Sequence, residues 1–174
     1  MATIRKQLTN ANVYVNGSSY LGFVSEAMMP DISIKQLDHA PLGQHGVTSL
    51  PVGFDKMEMT LKFTSFFSEV LTGGMANGYA GLDGQLRSSQ ESFDGQGSRS
   101  AEESFVYFFR GRPINLPTGS FKQHENAEGE TKITLDYIKL EIAGATIYEI
   151  DVLNNIYEVN GVDLLATYRA NLGV

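Results

Sequence analysis

The sequence predicts a mainly β fold: one mostly antiparallel domain over residues 1–174 with one or two short helices, including a C-terminal helix. Apolar and polar residues alternate with period two in many segments, the mark of half-buried strands. Asn-Gly and Asp-Gly pairs punctuate those segments, and both residue types tolerate the positive φ of tight turns. No internal repeat and no linker divides the chain into two cores. Its 174 residues are enough for one domain with a real core.

The elements follow in order. Val13 and Val15 alternate with Asn12 and Tyr14 on a first strand, and Asn16-Gly17 turns it. Tyr20, Gly22 and Val24 are expected on the return strand. Ile32 and Ile34 alternate with Asp31, Ser33 and Lys35. Residues 39–53 then form a long inter-strand arm, punctuated by Pro41, Gly43, Gly46, Pro51 and Gly53. A plain hairpin needs only about two to five loop residues. The clearest strand is Met57–Phe63, with Met57, Met59, Leu61 and Phe63 on one side and Glu58, Thr60 and Lys62 on the other. One face must be packed and the other wet.

A short helix is expected over Phe66–Leu71, capped by Ser65 and ended by Gly73 or Gly74. Gly73–Glu103 reads as a long Gly/Ser-rich loop, with turns at Asn77-Gly78, Asp83-Gly84 and Asp94-Gly95. Loops of that length usually carry function or order on binding. Phe105–Phe109 is apolar on both faces, which predicts a central or covered strand ending at Arg110-Gly111-Arg112-Pro113. Ser120-Phe121-Lys122 is a further candidate strand, and Glu125–Gly129 a polar turn. Thr131–Glu141 predicts a long strand, with Ile133, Leu135, Tyr137 and Lys139 on one side and Thr134, Asp136, Ile138 and Leu140 on the other. Ala143-Gly144 turns the chain into Thr146–Asp151, and Ile156–Val159 leads to the turn Asn160-Gly161. Asp163–Gly173 predicts the C-terminal helix, with Asp163 at its positive amino end and Gly173 at its exit.

Composition narrows the function. About 42 % of residues are of hydrophobic type, and no run approaches the roughly 18 apolar residues of a membrane helix. The first seven residues carry Arg5 and Lys6 with no apolar segment after them, so no Sec signal peptide is expected. The absence of cysteine removes disulfides, thiolate metal sites and cysteine nucleophiles, and fits a protein made in the cytoplasm. A net charge of −7 suits direct DNA binding poorly, because that needs clustered Lys and Arg to displace counterions.

Catalytic and ligand chemistry find little support. His39 and His45 flank Pro41 and Gly43 in a loop, and His124 is far away in sequence, whereas a zinc site needs several ligands at close range. Glu102-Glu103, Glu128/Glu130 and Glu149/Asp151 are the carboxylate pairs, and solvated charge accounts for each. Adjacent strand residues such as Glu102 and Glu103 point to opposite faces. Gly73-Gly74, Gly81 and Gly84 match neither GxGxxG nor a phosphate loop with its lysine. Met57 and Met59 belong to the core, while Met28-Met29 before Pro30 suit an intersubunit contact. No catalytic, cofactor-binding or metal residue is expected, and the chain is not expected to be an enzyme.

Several segments resemble the major tail tube family of contractile-tailed phages and R-type tailocins. Leu8–Gly17 resembles that family's first strand and turn, Phe109-Arg110-Gly111 a mid-chain strand end, and Tyr137–Glu141 its long late strand. The most specific part is Tyr148-Glu149-Ile150-Asp151, then Val159-Asn160-Gly161-Val162-Asp163, then Arg169 and Leu172-Gly173. Gly73–Glu103 looks longer than is usual in the family. The resemblance implies a β-sandwich or barrel-like subunit, six to a ring, with rings stacked into a hollow tube inside a contractile sheath. It implies a homo-oligomer whose partners are the tail sheath protein, baseplate, tape-measure protein and tail terminator. The tube is driven through a cell envelope on contraction and conducts DNA in a phage or ions in a tailocin, with DNA only transient cargo. The location implied is a virion tail or tailocin particle.

In such a ring, neighbouring sheet edges pair, and a hazard of aggregation becomes a rule of assembly. Wet strand faces would line the lumen. Acidic copies there would repel phosphate, over the roughly 8–10 Å that salt screening allows. The 39–53 arm is expected to contact a neighbouring subunit or ring. The alternatives are the tube of a type VI or extracellular contractile injection system, or a monomeric β-barrel ligand-binding domain.

Overall fold

The computed structural model describes residues 4–68, 81–124 and 127–174. Its strands are β1 (Arg5–Val15), β2 (Ser18–Ser19), β3 (Val24–Met28), β4 (Ile34–His39), β5 (Thr48–Phe54), β6 (Met57–Phe63), β7 (Leu82–Phe93), β8 (Arg99–Pro113), β9 (Gly129–Ile142), β10 (Ala145–Asp151), β11 (Ile156–Val159) and β12 (Val162–Asp163). A C-terminal helix α1 spans Ala166–Leu172. The second half of the expected helix over Phe66–Leu71, residues 69–71, lies outside the described residues. No helix among those residues is long and apolar enough to cross a membrane.

All strands but β4 and β5 join one antiparallel sheet, in the order β12-β11-β10-β9-β8-β7-β1-β2. It forks at β9. The second half of β9 pairs with β10, whereas its first half pairs with β6, which carries β3 on its far side. The β2–β3 connection ties the two wings together. Tyr20 N–H donates to the Val13 carbonyl on β1 (2.8 Å), and Thr64 N–H, just beyond β6, donates to the Phe23 carbonyl (2.9 Å). One core results, in which Val13, Leu86, Tyr107, Phe109, Ile133, Ile138 and Ile150 meet the buried side of β6.

Tight turns fall where the sequence places them. Asn16-Gly17, Ala143-Gly144 and Asn160-Gly161 all have positive φ at both residues, the twist that suits two-residue hairpins. The alternation of β6 is also as read: Met57, Met59, Leu61 and Phe63 are buried, and Glu58, Thr60 and Lys62 are not. β8 is central, between β7 and β9. Its inner face of Phe105, Tyr107 and Phe109 is buried, while Val106 and Phe108 are only half-buried.

Four readings need correction. The span 73–103 is not a loop over its described part: β7 and the start of β8 occupy it as a long hairpin. Asp83-Gly84 is accordingly strand, not turn. The inner side of β7 presents Gly84 and Ser88 beside Leu82 and Leu86, because the Phe109 and Phe105 rings of β8 fill the volume opposite; Ser92, farther along, faces Ala101. A Cβ on Gly84 would stand 2.1 Å from the Phe109 ring, so only glycine lets that ring lie across the strand. Small inner residues erase the apolar alternation by which a strand is read.

The second correction is to β9. Ile133, Leu135 and Ile138 are all buried on one side, so strict alternation fails. The register shifts between Arg110 and Gly111, with Arg110 opposite Tyr137 and Gly111 opposite Leu135, leaving Asp136 as the extra residue of a bulge. Third, Tyr20 and Gly22 do not continue the return strand: β2 ends at Ser19, Gly22 turns with φ +81°, and β3 starts only at Val24. Fourth, Ser120 makes only an isolated bridge to Glu128, and Phe121 stands exposed while stacking on Phe66. The helix expected from Asp163 begins at Ala166, and Gly173 closes it in the left-handed conformation.

Candidate assembly surfaces

The side of the main sheet facing away from the core is a continuous polar wall. β1 contributes Asn12 and Tyr14, β7 Asp83, Gln85 and Arg87, β8 Phe108 and Arg110, β9 Tyr137, Lys139 and Glu141, and β10 Glu149. Its cations are held by carboxylates. Arg110 Nε donates to Asp83 (2.7 Å), and its guanidinium lies over the Tyr137 ring at 5.3 Å. Arg112 bonds Asp136, the bulge residue (2.6 Å). Lys139 sits between Glu141 (2.9 Å) and Glu149 (3.6 Å). Arg99 bridges Glu91 and Glu102 at the far end of the β7–β8 hairpin. Arg87 instead donates to Gln85 (3.0 Å) and lies over the Tyr14 ring.

These partners set the protonation of the wall. The hydrogen bond to Glu141 raises the Lys139 pKa above its ordinary value, and that to Asp83 raises Arg110. Burial, then the Glu149 charge, pushes the Tyr137 phenol up to about 12. Lys139 and Arg110 therefore stay charged through the neutral range, each already committed to a carboxylate. Nothing but β-pairing in the sequence foretells these partners, because they come from strands far apart in the chain.

A second surface is open backbone. β2 covers only Tyr14 and Val15 of β1, so the outer edge of Arg5–Asn12 has no strand partner among the described residues. The outer edge of β3 is open in the same way. Exposed Met28 and Met29 lie at its end.

The third surface is the 39–53 arm. It is the outer part of a hairpin in which β4 and β5 pair only with each other, with β5 starting at Thr48. Every residue of β4 is exposed, and so is all of β5 up to Phe54. Its attachment is its base: Asp55 N–H donates to the Ser33 carbonyl (2.9 Å), and Phe54 meets the Tyr157 ring edge-on at 4.9 Å. The hairpin stands away from the core that the rest of the chain shares.

The candidate chemical groups are scattered. His39 ends β4 opposite Thr48, His45 lies in the hairpin tip, and His124 lies beyond β8, all exposed. Among the described residues no group of His, Asp and Glu is placed to hold a metal ion. Glu102 binds Ser89 and Arg99, Glu103 binds Lys6, and Glu130 faces Lys132. Glu149 binds Lys139, whereas buried Asp151 accepts from the backbone and side-chain amides of Asn154.

Open edges, a hairpin held out from its own core and a neutralised polar wall together define a structural subunit. The chain belongs to the phage tail tube protein FII family, whose profile matches residues 5–173. It is accordingly a structural component of a phage tail tube. The tail tube protein of Escherichia phage P2 is 29 % identical over 180 residues, covering 100 % of both chains. The major tail tube protein of Serratia phage KSP20 is 26 % identical over 163 residues, covering 92 % of this chain and 91 % of that protein. The fold recurs in the extended-state sheath–tube complex of the PVC extracellular contractile injection system, with TM-score 0.53 and 15 % identity over 75 % of this chain and 87 % of that one. It recurs again in the PVC sheath/tube terminator, with TM-score 0.51 and 14 % identity over 75 % of this chain and 92 % of that one.

Proposed function

We propose that six copies of this chain close into a ring through their open sheet edges, and that rings stack into the hollow inner tube of a contractile tail. The subunit is made in the bacterial host cytoplasm, works without catalysis, and is surrounded by a sheath and joined to a baseplate, with a tape-measure protein and a terminator fixing the tube's length and end. Contraction drives the tube through a cell envelope, and the lumen conducts DNA from a capsid or ions if none is attached.

The observation that carries this reading is the β4–β5 hairpin, exposed along both strands while the sheet beside it leaves its own margins unfilled. A folded chain gains nothing from ordering such a hairpin alone, since two isolated strands are marginal in water. The polar wall suits the lumen. Arg110, Arg112 and Lys139 are each occupied by a carboxylate and Arg87 by Gln85 and the Tyr14 ring, so passing phosphate meets no free basic row.

Deleting Leu42–Leu50 should leave a folded subunit that no longer polymerises. Size exclusion with negative-stain microscopy would then find a monomer slightly lighter than the 19.1 kDa intact chain in place of tubes. Normal tubes from that variant would refute the assembly role of the arm.

A further inference from the structure

The hairpin is apolar at both ends, and among the described residues nothing covers its tip while Ile34 and Val52 at its base stay exposed. At its tip, Leu42 is fully exposed and Val47 is largely so. At its base lies a half-open groove of about 450 Å³, lined by Ile34 and Val52 of the hairpin, Val152 and Ile156 of the β10–β11 turn, and Leu165 and Tyr168 at α1. The groove has no lysine or arginine in its lining, and its carboxylate, Asp151, is satisfied by Asn154. Arg169 on α1 is turned to Asp163 and to the Asn155 carbonyl. The tip is equally free of charge: Ala40–Val47 holds His45 as its titratable side chain and no carboxylate, lysine or arginine.

Tip and groove suit each other in polarity but cannot meet in one chain. A strand rises about 3.3 Å per residue, so roughly 25 Å of extended chain separates Leu42 from Ile34. The tip's receptor must lie elsewhere, and in the stacked rings proposed above each chain of this tube family has copies of itself as neighbours.

We propose that the hairpin tip of one copy, led by Leu42 and Val47, seats in the groove between α1 and the β10–β11 turn of a second copy. This rests on the reading of the hairpin as an assembly arm and names the surface that receives it. Tip and groove are different patches, so the contact is head-to-tail, and each copy whose tip fills a groove offers its own groove to a further tip. It extends a polymer and does not stop at a pair. α1 thereby acquires a role that its own fold does not give it, since none of its residues is buried within the chain.

The absence of native cysteine allows a direct test. Tubes are assembled from an equal mixture of Leu42→Cys and Val152→Cys chains and treated with a short bis-maleimide. The expected result is a mixed covalent dimer, confirmed by mass, that dominates over the product from Leu42→Cys with Phe121→Cys, an exposed site away from the groove. Tubes that form but give no mixed dimer, or that link equally to Phe121→Cys, overturn the proposed groove while leaving the tube reading intact. Should a cysteine variant fail to assemble, Tyr168→Lys decides. A lysine in the groove is expected to abolish polymerisation while the circular dichroism of the subunit stays unchanged. Normal tubes from Tyr168→Lys overturn the proposal.

Discussion

β5 and β6 are neighbours in the chain, each seven residues long and each with a large apolar side chain at every second position (Leu50, Val52 and Phe54; Met57, Met59, Leu61 and Phe63), yet they end in opposite surroundings. β6 lies in the deepest part of the core, flanked by β3 and β9. β5 pairs with β4 alone and is exposed until Phe54. Two residues separate their fates. Pro51 has no N–H to offer a ladder, and Gly53 takes φ +143°, so β5 is confined to an edge. Alternation reports which face of a strand is apolar. It does not report whether the cover for that face is in the same molecule.

That contrast can be broken by mutation, most severely at Gly111. An alanine there would place its Cβ 2.1 Å from the Thr134 carbonyl oxygen, in the bulge that keeps β9 in phase. Gly111→Ala should lose about 3 kcal/mol or more, because backbone and not a flexible side chain must move. A urea midpoint equal to wild type would disprove the need for close approach.

Next comes a matched pair. Ile138 is 0 % exposed and Leu37 on β4 is 63 % exposed. Ile138→Ala should cost the isolated subunit about 2–5 kcal/mol as a cavity. Leu37→Ala should stay within about 0.5 kcal/mol, as for an uncovered surface position. Equal losses in the monomer would mean that the hairpin packs on its own domain after all.

The smallest effect concerns the seat of α1. The hydrogen bond from Arg169 holds the Asp163 carboxyl below its ordinary 3.8, so this interaction stabilises the native state above that value and is lost as pH falls through the folded pKa. The melting temperature of wild type should exceed that of Asp163→Asn at neutral pH, with the gap closing as pH falls through the lowered folded-state pKa, below which the carboxyl is protonated in both states. A gap of constant size across that range would assign the loss to something other than charge.

The long β7–β8 hairpin marks where legibility failed. Gly84 and Ser88 turn inward opposite Phe109 and Phe105, which reach across, and a strand packed by its partner's side chains carries no apolar signature of its own. The polar wall was hidden for a related reason. Asp83 meets Arg110, and Arg112 meets Asp136, only after strands distant in the chain come into register. In β9 the clue was present: Ile133 and Leu135 are followed by Ile138 and Leu140, and that change of phase is the signature of a bulge.

By itself the sequence determined the β class, the Asn-Gly turns, the inward face of β6 and the glycine exit of α1, because each depends on backbone freedom or side-chain pattern within a few residues. Tertiary structure alone decided the fork at β9, the pairing of the wall's charges, and whether the apolar side of a strand finds its cover within the same chain. Those depend on distant segments competing for the same partners, and no local pattern encodes the winner.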